Sequence, residues 1–413
     1  MSESGRHAVG RAWLLYRALP ALVAVAGGAA IAAATMTTLV ARVVVTPPRK
    51  RSDDTRILAV DLDGATITLS RTADTSLPGR YGLWTDRDTG HLKLGEIVSS
   101  TPTTVTRHLD GIDLGQPERA AGGRFSGWYH VTPDDIDLPW RSVEVETELG
   151  AAPAWLIPAA SDPAVDTAAV DPVGDTAAIG RGRWAILVHG RGVSRAEALR
   201  AVPVLHGRGF TCLVVSWRND GDAPPSPDGR YGLGATEWND VDAALGFARD
   251  HGARDVVLVG WSMGGAISLQ AARNSPHAPL IRGIVLESPV VAWAPTLDFQ
   301  AQGMRIPPAI RRASVALLST PSLAAIAGQS TAVDFASLDF VERASEITVP
   351  ILLMHSDDDG FVPIEASEAL ARARPDIVDF HRWTDARHAK LWNFDPERFD
   401  REIGEWVDRI LPA

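Results

Sequence analysis

Cysteine is nearly absent: Cys212 is the single one in 413 residues. One thiol excludes an internal disulfide framework and a cysteine-based zinc site, and it leaves the redox compartment open. Positive charge is also short. Forty Lys+Arg stand against 51 Asp+Glu, a formal net charge of −11, so nucleic acid is disfavoured as a partner, because following a phosphate backbone needs a basic surface. Hydrophobic residues make up 45% and charged residues 22%, a composition that is neither disordered nor polytopic membrane. The length predicts roughly two to three domains, each large enough to bury a core.

Charge is missing altogether from Leu19 to Ala41, a run of 23 residues rich in Ala, Val and Gly. That run can cross about 30 Å of hydrocarbon at about 1.5 Å per residue. Arg11 and Arg17 precede it; Arg42, Arg49, Lys50 and Arg51 follow. We read residues 1–18 as a basic segment, 19–41 as a transmembrane helix and 42–56 as a linker. A cleaved signal peptide, with the small residues Ala32 to Ala34 near its exit, competes with this reading, and so does a buried helix. The length of the run and the basic stop behind it favour a retained, single-pass anchor in the cell membrane. Close to the span, three Lys/Arg lie before it and five after it. The positive-inside rule therefore puts the large C-terminal part on the cytoplasmic side.

From residue 57 to 140 the pattern is one of short alternating runs. Leu58 to Leu62, the turn Asp63-Gly64, and Ala65 to Leu69 form a hairpin signal. His91 to Val98 and Thr103 to Leu109 add two further strand-like runs. The segment reads as a small β-rich domain with no metal cluster, phosphate loop or repeat, and hence as a spacer or a support.

Beyond Arg141, apolar runs of strand length alternate with amphipathic helices. The runs are Ala154–Pro158, Trp184–His189, Thr211–Trp217, Val256–Gly260, Gly283–Glu287, Ile351–His355 and Val378–Trp383, with Ser142–Glu148 as an eighth, edge strand. Near-continuous Val/Ile/Leu runs suit a sheet covered on both faces. The alternation predicts an α/β fold over 141–413: a mostly parallel eight-stranded sheet with helices on both faces. Asn239–His251 and Pro396–Leu411 have the 3.6-residue period of such helices. Residues 159–182, poor in large apolar side chains, read as a surface loop. Residues 291–348 are too long for a simple crossover and carry the helical stretches Ile310–Leu318 and Leu323–Ala327. We read them as a cap over the C-terminal edge of the sheet, where α/β proteins bind ligands.

One motif carries chemistry. Gly260-Trp261-Ser262-Met263-Gly264 is G-x-S-x-G, set between the strand Asp255–Gly260 and the helix Gly265–Ala272. A sharp strand-to-helix turn lifts the hydroxyl out at the top of the sheet beside a helix N-terminus. A serine hydroxyl needs a base to take its proton. In the chain order Ser…Asp…His, the run Asp357-Asp358-Asp359 supplies the acid and His388, between the last strand and the last helix, supplies the base.

These residues resemble the α/β-hydrolase superfamily over roughly residues 141–413. The chain looks most like its serine-aminopeptidase-like and prolyl-oligopeptidase-like branch, which includes single-span bacterial hydrolases. There a strand is followed by H-G-x-x-D-x-x-V-P. Here His355 to Pro363 reads H-S-D-D-D-G-F-V-P, with Ser356 in place of the glycine, and the match falls on Asp359. Asp357 and Asp358 are then solvated turn residues. His388, followed by Trp392-Asn393 and Asp395-Pro396, is similar to the family's histidine loop, whereas His381 is a strand residue. Leu187 to Gly192 resembles the family's H-G-x-x loop. The resemblance implies an oxyanion hole made by the backbone N–H groups of Met263 and Arg191, with His189 bracing the loop; the claim concerns only the N–H of Arg191, whose side chain is otherwise read as a surface cation. Trp217 to Gly221 resembles the loop after the fourth strand and receives no chemistry.

The expected function is hydrolysis of an ester, thioester or amide by Ser262, His388 and Asp359 through an acyl-serine, with no metal or organic cofactor required. The apolar cap and the anchor favour a small lipophilic acyl ester as substrate. Peptide hydrolysis, acyl transfer by the same triad, and a non-catalytic membrane-anchored binding module are the alternatives. The pattern assigns no oligomeric state.

Overall fold

The computed structural model describes residues 27–48, 53–160 and 182–412. The expected loop at 159–182, the basic segment 1–18 and the first part of the expected span fall largely or wholly outside the described residues. In chain order the helices are α1 (Gly27–Val45), α2 (Val202–His206), α3 (Trp238–Asp250), α4 (Met263–Asn274), α5 (Trp293–Gly303), α6 (Pro308–Ser319), α7 (Pro321–Ala327), α8 (Glu365–Ala373), α9 (Leu391–Phe394) and α10 (Pro396–Ile410). The chain divides into two compact units, residues 1–46 with 301–333 and residues 47–300 with 334–413.

The smaller unit holds α1, α6 and α7. Ser314 of α6 donates its hydroxyl to the Thr37 carbonyl of α1 at 3.0 Å, and Arg42 Nε donates to the Ile326 carbonyl at 3.2 Å. α1 is long and apolar enough to cross a membrane, a property that a signal sequence near the N-terminus shares. Within 301–333 there are three arginines and no acid, and Met304, Leu323 and Ile326 are exposed.

The larger unit begins with a closed six-stranded barrel. Its strands are β1 (Thr55–Asp61), β2 (Thr66–Ser70), β3 (Tyr81–Thr85), β4 (Gly90–Ser100), β5 (Thr104–Leu114) and β6 (Gly122–Ser126), joined in the order β1-β2-β5-β4-β3-β6. Asp61 Oδ1 accepts the Gly64 N–H at 2.9 Å and closes the first hairpin. The side chains at alternate positions, among them Ile67, Leu69, Tyr81, Leu83, Leu92 and Leu94, fill the interior, as a period of two requires. Arg107 lies fully buried among them. Its guanidinium donates to the carbonyls of Thr75, Leu77, Gly79 and Gly95 at 2.6–3.0 Å, so the buried charge is hydrogen-bonded.

The sheet that follows contains β7 (Arg141–Thr147), β8 (Gly150–Ile157), β9 (Gly182–Val188), β10 (Thr211–Val215), β11 (Ala253–Trp261), β12 (Ile281–Glu287), β13 (Ile351–Ser356) and β14 (Val378–Trp383). Their order is β14-β13-β12-β11-β9-β10-β8-β7. The pairs from β14 to β10 are parallel, while β8 and β7 are added antiparallel at one edge. Ala185, Leu187, Val257 and Val259 pack on one face against Phe399, Ile403 and Trp406 of α10. Trp184, pointing the other way, meets Phe247 of α3 with ring centroids 6.4 Å apart. Burying both faces leaves the carboxyl ends of β9, β11, β13 and β14 as the places where chain of different sequence distance meets. The next side chains of interest lie there.

Candidate active site

Ser262 sits between β11 and α4 at φ 51° and ψ −116°, a backbone conformation that costs about 1–3 kcal/mol for a residue with a side chain. Its surroundings over-determine it. Ser262 N–H donates to the Glu287 carbonyl, and the Ser262 carbonyl accepts from Gly265 and Val290, each at 3.0 Å. A Cβ on Gly264 would lie 2.1 Å from the Val188 carbonyl oxygen, so the motif's last glycine is demanded by the approach of β9. Met263 opens α4, where a backbone N–H has no acceptor within the helix.

Asp359 follows β13 and is buried. Its Oδ1 accepts the N–H groups of Phe361 (2.9 Å) and Val362 (2.8 Å). Its Oδ2 lies 2.7 Å from His388 Nδ1 and 3.1 Å from His355 Nε2. Burial alone would push this carboxyl's pKa up. The charge of His388 and the hydrogen bonds from His355 and His388 outweigh that and hold it well below the usual carboxylate range. His388 Nε2 lies 3.0 Å from Ser262 Oγ. Three residues distant in sequence are thus joined hydroxyl to imidazole to carboxylate. With Nδ1–H donated to Asp359, Nε2 is left as the acceptor for the serine proton.

The loop carrying Arg191 leaves β9 beside the serine: a Cβ on Gly190 would be 3.4 Å from Ser262 Cβ. Three acceptors shape it. Glu197 accepts the Gly190 N–H at 2.8 Å, Asp220 accepts the Gly192 N–H at 2.6 Å, and the Gly190 carbonyl accepts from His189 Nδ1 at 2.9 Å. His189 stacks on Trp217 at 4.8 Å, and burial pulls its pKa down to about 3, so its imidazole is neutral near pH 7 and keeps the Nδ1–H that it donates to the Gly190 carbonyl. The expectation of a surface cation at Arg191 is corrected. Its guanidinium lies 5.1 Å from the Tyr231 ring centre, and burial lowers its pKa against the pull of Tyr231 and Asp220.

Asp358 requires a second correction. It is half-buried and accepts from Ser356 Oγ (2.7 Å) and from the Arg387 N–H (2.9 Å). Asp357 is exposed and pairs with Arg382 at 2.5 Å. His381, on β14, lies between Asp379 of the same strand and Glu402 of α10. Beneath the site, fully buried Glu287 accepts from Trp261 Nε1 and from the Leu391 N–H, with Arg200 3.6 Å away. Burial pushes the Glu287 pKa up, and Arg200 opposes it. Glu197, Asp220, Glu287 and Ser356 received no functional role from the sequence. Their partners lie in other segments of the chain, and only the unexpected polarity of Glu287 at the end of an apolar strand offered a signal. Among the described residues no three His, Cys, Asp or Glu side chains are grouped to hold a metal ion.

A model of the alpha/beta hydrolase family matches residues 185–402. A second family model, for a domain of unknown function (DUF8805), matches residues 56–126, the barrel. Among solved structures the chain is similar to the esterase Pf2001 of Pyrococcus furiosus, with 19% identity and a TM-score of 0.48 over 68% of this chain and 96% of that one. It is similar to the esterase RhEst1 of Rhodococcus sp. ECU1013, with 19% identity and a TM-score of 0.42 over 65% and 99%. A thermophilic esterase of Thermogutta terrifontis gives 20% identity and a TM-score of 0.44 over 65% and 99%. No curated protein matches the chain.

Proposed function

The chain belongs to the alpha/beta hydrolase family, whose model spans 218 residues (185–402), more than half of the 413, and from that premise we propose that this hydrolytic enzyme cleaves a carboxylic ester with Ser262 as nucleophile, His388 as base and Asp359 as the orienting acid. The observation that carries the proposal is the pair of contacts at His388: Nε2 at 3.0 Å from Ser262 Oγ and Nδ1 at 2.7 Å from Asp359. Ser262 Oγ attacks the acyl carbonyl while its proton passes to His388 Nε2. Asp359, ionised, stabilises the imidazolium. The oxyanion accepts from the N–H groups of Met263 and Arg191. Collapse breaks the bond to the leaving group, which takes the proton from His388. Water then repeats the sequence on the acyl-serine, and Ser262 regains its proton.

A lipophilic acyl ester is the substrate class we favour, because an enzyme carried by an apolar anchor such as α1 works where lipophilic esters partition. We read α1 as a retained membrane anchor, and carbonate extraction leaving the protein in the pellet is the expected result. We read the branch as the serine-aminopeptidase-like or prolyl-oligopeptidase-like one, on His355, Asp359, Val362 and Pro363.

The test compares a chain-length series of nitrophenyl esters with aminoacyl fluorogenic amides. Ester turnover that rises with acyl length, and that drops by about 10⁴-fold or more in Ser262→Ala, is the expected outcome. Faster turnover of the amides makes the enzyme a peptidase. Transfer of the acyl group to an added alcohol in preference to water makes it an acyltransferase.

A further inference from the structure

The loop that presents His388 does not hold its own shape. Between β14 and α9, Asp385 (φ 64°), Arg387 (φ 60°) and Ala389 (φ 50°) all adopt left-handed backbone. Three such non-glycine residues around one histidine persist only if their neighbours dictate them. Part of the dictation comes from the ends of the sheet strands: Ser356 Oγ accepts the Ala386 N–H at 3.2 Å, Asp358 the Arg387 N–H at 2.9 Å, and Ser288 Oγ the Ala389 N–H at 3.2 Å.

The rest comes from the barrel, more than 250 residues away in sequence. Asp74, in the connection between β2 and β3, lies 2.6 Å from Arg387 Nε and 3.4 Å from Lys390 Nζ. It therefore holds the residues on either side of the segment 388–389. Arg80 N–H donates to the Asn393 carbonyl at 3.0 Å, and Asn393 Nδ2 donates to the carbonyls of Arg80 (2.8 Å) and Gly127 (2.9 Å). The two backbones meet so closely that a Cβ on Gly79, itself at φ 92°, would stand 2.0 Å from the Asn393 carbonyl oxygen. Just past β6, Tyr129 and His130 flank the Trp392 ring at 5.9 and 5.4 Å. Arg200 Nη1 then bridges Ala389 and Asn393 from beneath. A spacer needs none of this. The contacts fall on the one loop whose shape sets where the imidazole stands.

We infer that the β-barrel of residues 55–126 is a clamp on the histidine loop, with Asp74 a positioning residue that acts on turnover through Arg387 and Lys390. The inference rests on the proposed role of His388. The Asp74 carboxylate pairs with Arg387 and Lys390 and not with Ser262, so its loss is expected to move kcat and to leave KM unchanged.

The test uses the full-length protein in detergent and the variants Asp74→Asn, Asp74→Glu and Gly79→Ala. The readouts are kcat and KM on a short nitrophenyl ester, the thermal midpoint, and amide hydrogen exchange over residues 384–394. Asp74→Asn is expected to lower kcat about tenfold, because small misplacements of a reacting group carry penalties of this order, with KM unchanged, exchange in 384–394 faster and the thermal midpoint kept. Asp74→Glu, which retains the charge, recovers most of kcat. Gly79→Ala, which forces the backbones apart, gives the larger loss. If Gly79→Ala does not fold, Asp74→Asn decides alone. A folded Asp74→Asn with wild-type kcat overturns the clamp, whatever its exchange pattern. Fluorophosphonate labelling separates the two levels. Labelling that depends on Ser262 beside an indifferent Asp74 sinks the clamp only, whereas an unlabelled, inactive wild type sinks the catalytic reading and the clamp with it.

Discussion

The turn at Ser262 and the loop at His388 solve the same problem by opposite means. Both hold a side chain at the carboxyl edge of the sheet with the help of positive-φ backbone, at Ser262 itself in the turn and at Arg387 and Ala389 on either side of His388 in the loop. At Ser262 the constraint is exclusion: β9 presses on Gly264 and leaves no space for a side chain, and the main chain of the turn is bonded to its neighbours. At His388 the constraint is tethering: Ser288, Ser356 and Asp358 each hold one point of the loop, and Asp74 holds two. Exclusion is rigid and local. Tethering is shared among segments far apart in sequence, so it can be loosened one contact at a time.

This contrast is open to attack at several points. The largest effect is expected at the junction of the two systems. Asp359→Asn replaces the acceptor of His388 Nδ1–H with a group that no longer fixes the tautomer, and kcat should fall by about 10⁴-fold in steady-state ester hydrolysis. Because the Asp359 pKa is depressed in the fold, its contribution to stability is complete above the ordinary carboxylate value of about 4 and is lost as pH falls through the folded-state value. The variant should therefore lose more stability at pH 7 than in strong acid. Next comes Gly264→Ala. The turn cannot yield, so we expect a loss of about 3 kcal/mol or more in urea unfolding, together with the activity. A well-folded, active Gly264→Ala protein would erase the distinction between exclusion and tethering.

The smallest effect concerns a group remote from both regions. Asp400 on α10 has its pKa pushed up to about 6 by burial, against the pull of Arg208, and its Oδ1 has no hydrogen-bond partner. A raised carboxyl pKa favours the protonated folded state. Stability is then lost as pH rises from about 4 towards about 6 and is level beyond. Asp400→Asn should stabilise the protein by roughly 1 kcal/mol at pH 7, a figure reduced for solvent screening at this half-buried site, and by nothing at pH 4.

The same contrast decides what a sequence can disclose. The turn was legible because exclusion writes itself into local spacing: glycines around a serine, an apolar strand before, a helix after. The alternation that fills the barrel with Ile67, Leu69, Leu92 and Leu94 was legible for the same reason. Tethers leave no such trace. Asp358 sits in a run of three aspartates and reads as solvated, yet it holds the Arg387 N–H. Asp74 lies in a polar connection of the barrel, and nothing near it in the chain points 313 positions onward to Arg387 (387 − 74). Arg107 and Glu287 are charged residues in strands, and their partners are carbonyls and N–H groups that only the folded chain brings to them. Arg191 was read as a surface cation because no partner for its side chain stands near it in the chain; the aromatic ring of Tyr231 comes from another segment.

The central claim, that Ser262 is made nucleophilic by His388, is tested most directly by peptide mapping after brief exposure to a fluorophosphonate. A covalent adduct is expected on the peptide containing Ser262 in the wild type, formed orders of magnitude more slowly in folded His388→Ala. An adduct on another serine, or one on Ser262 that forms equally fast without the imidazole, would contradict it.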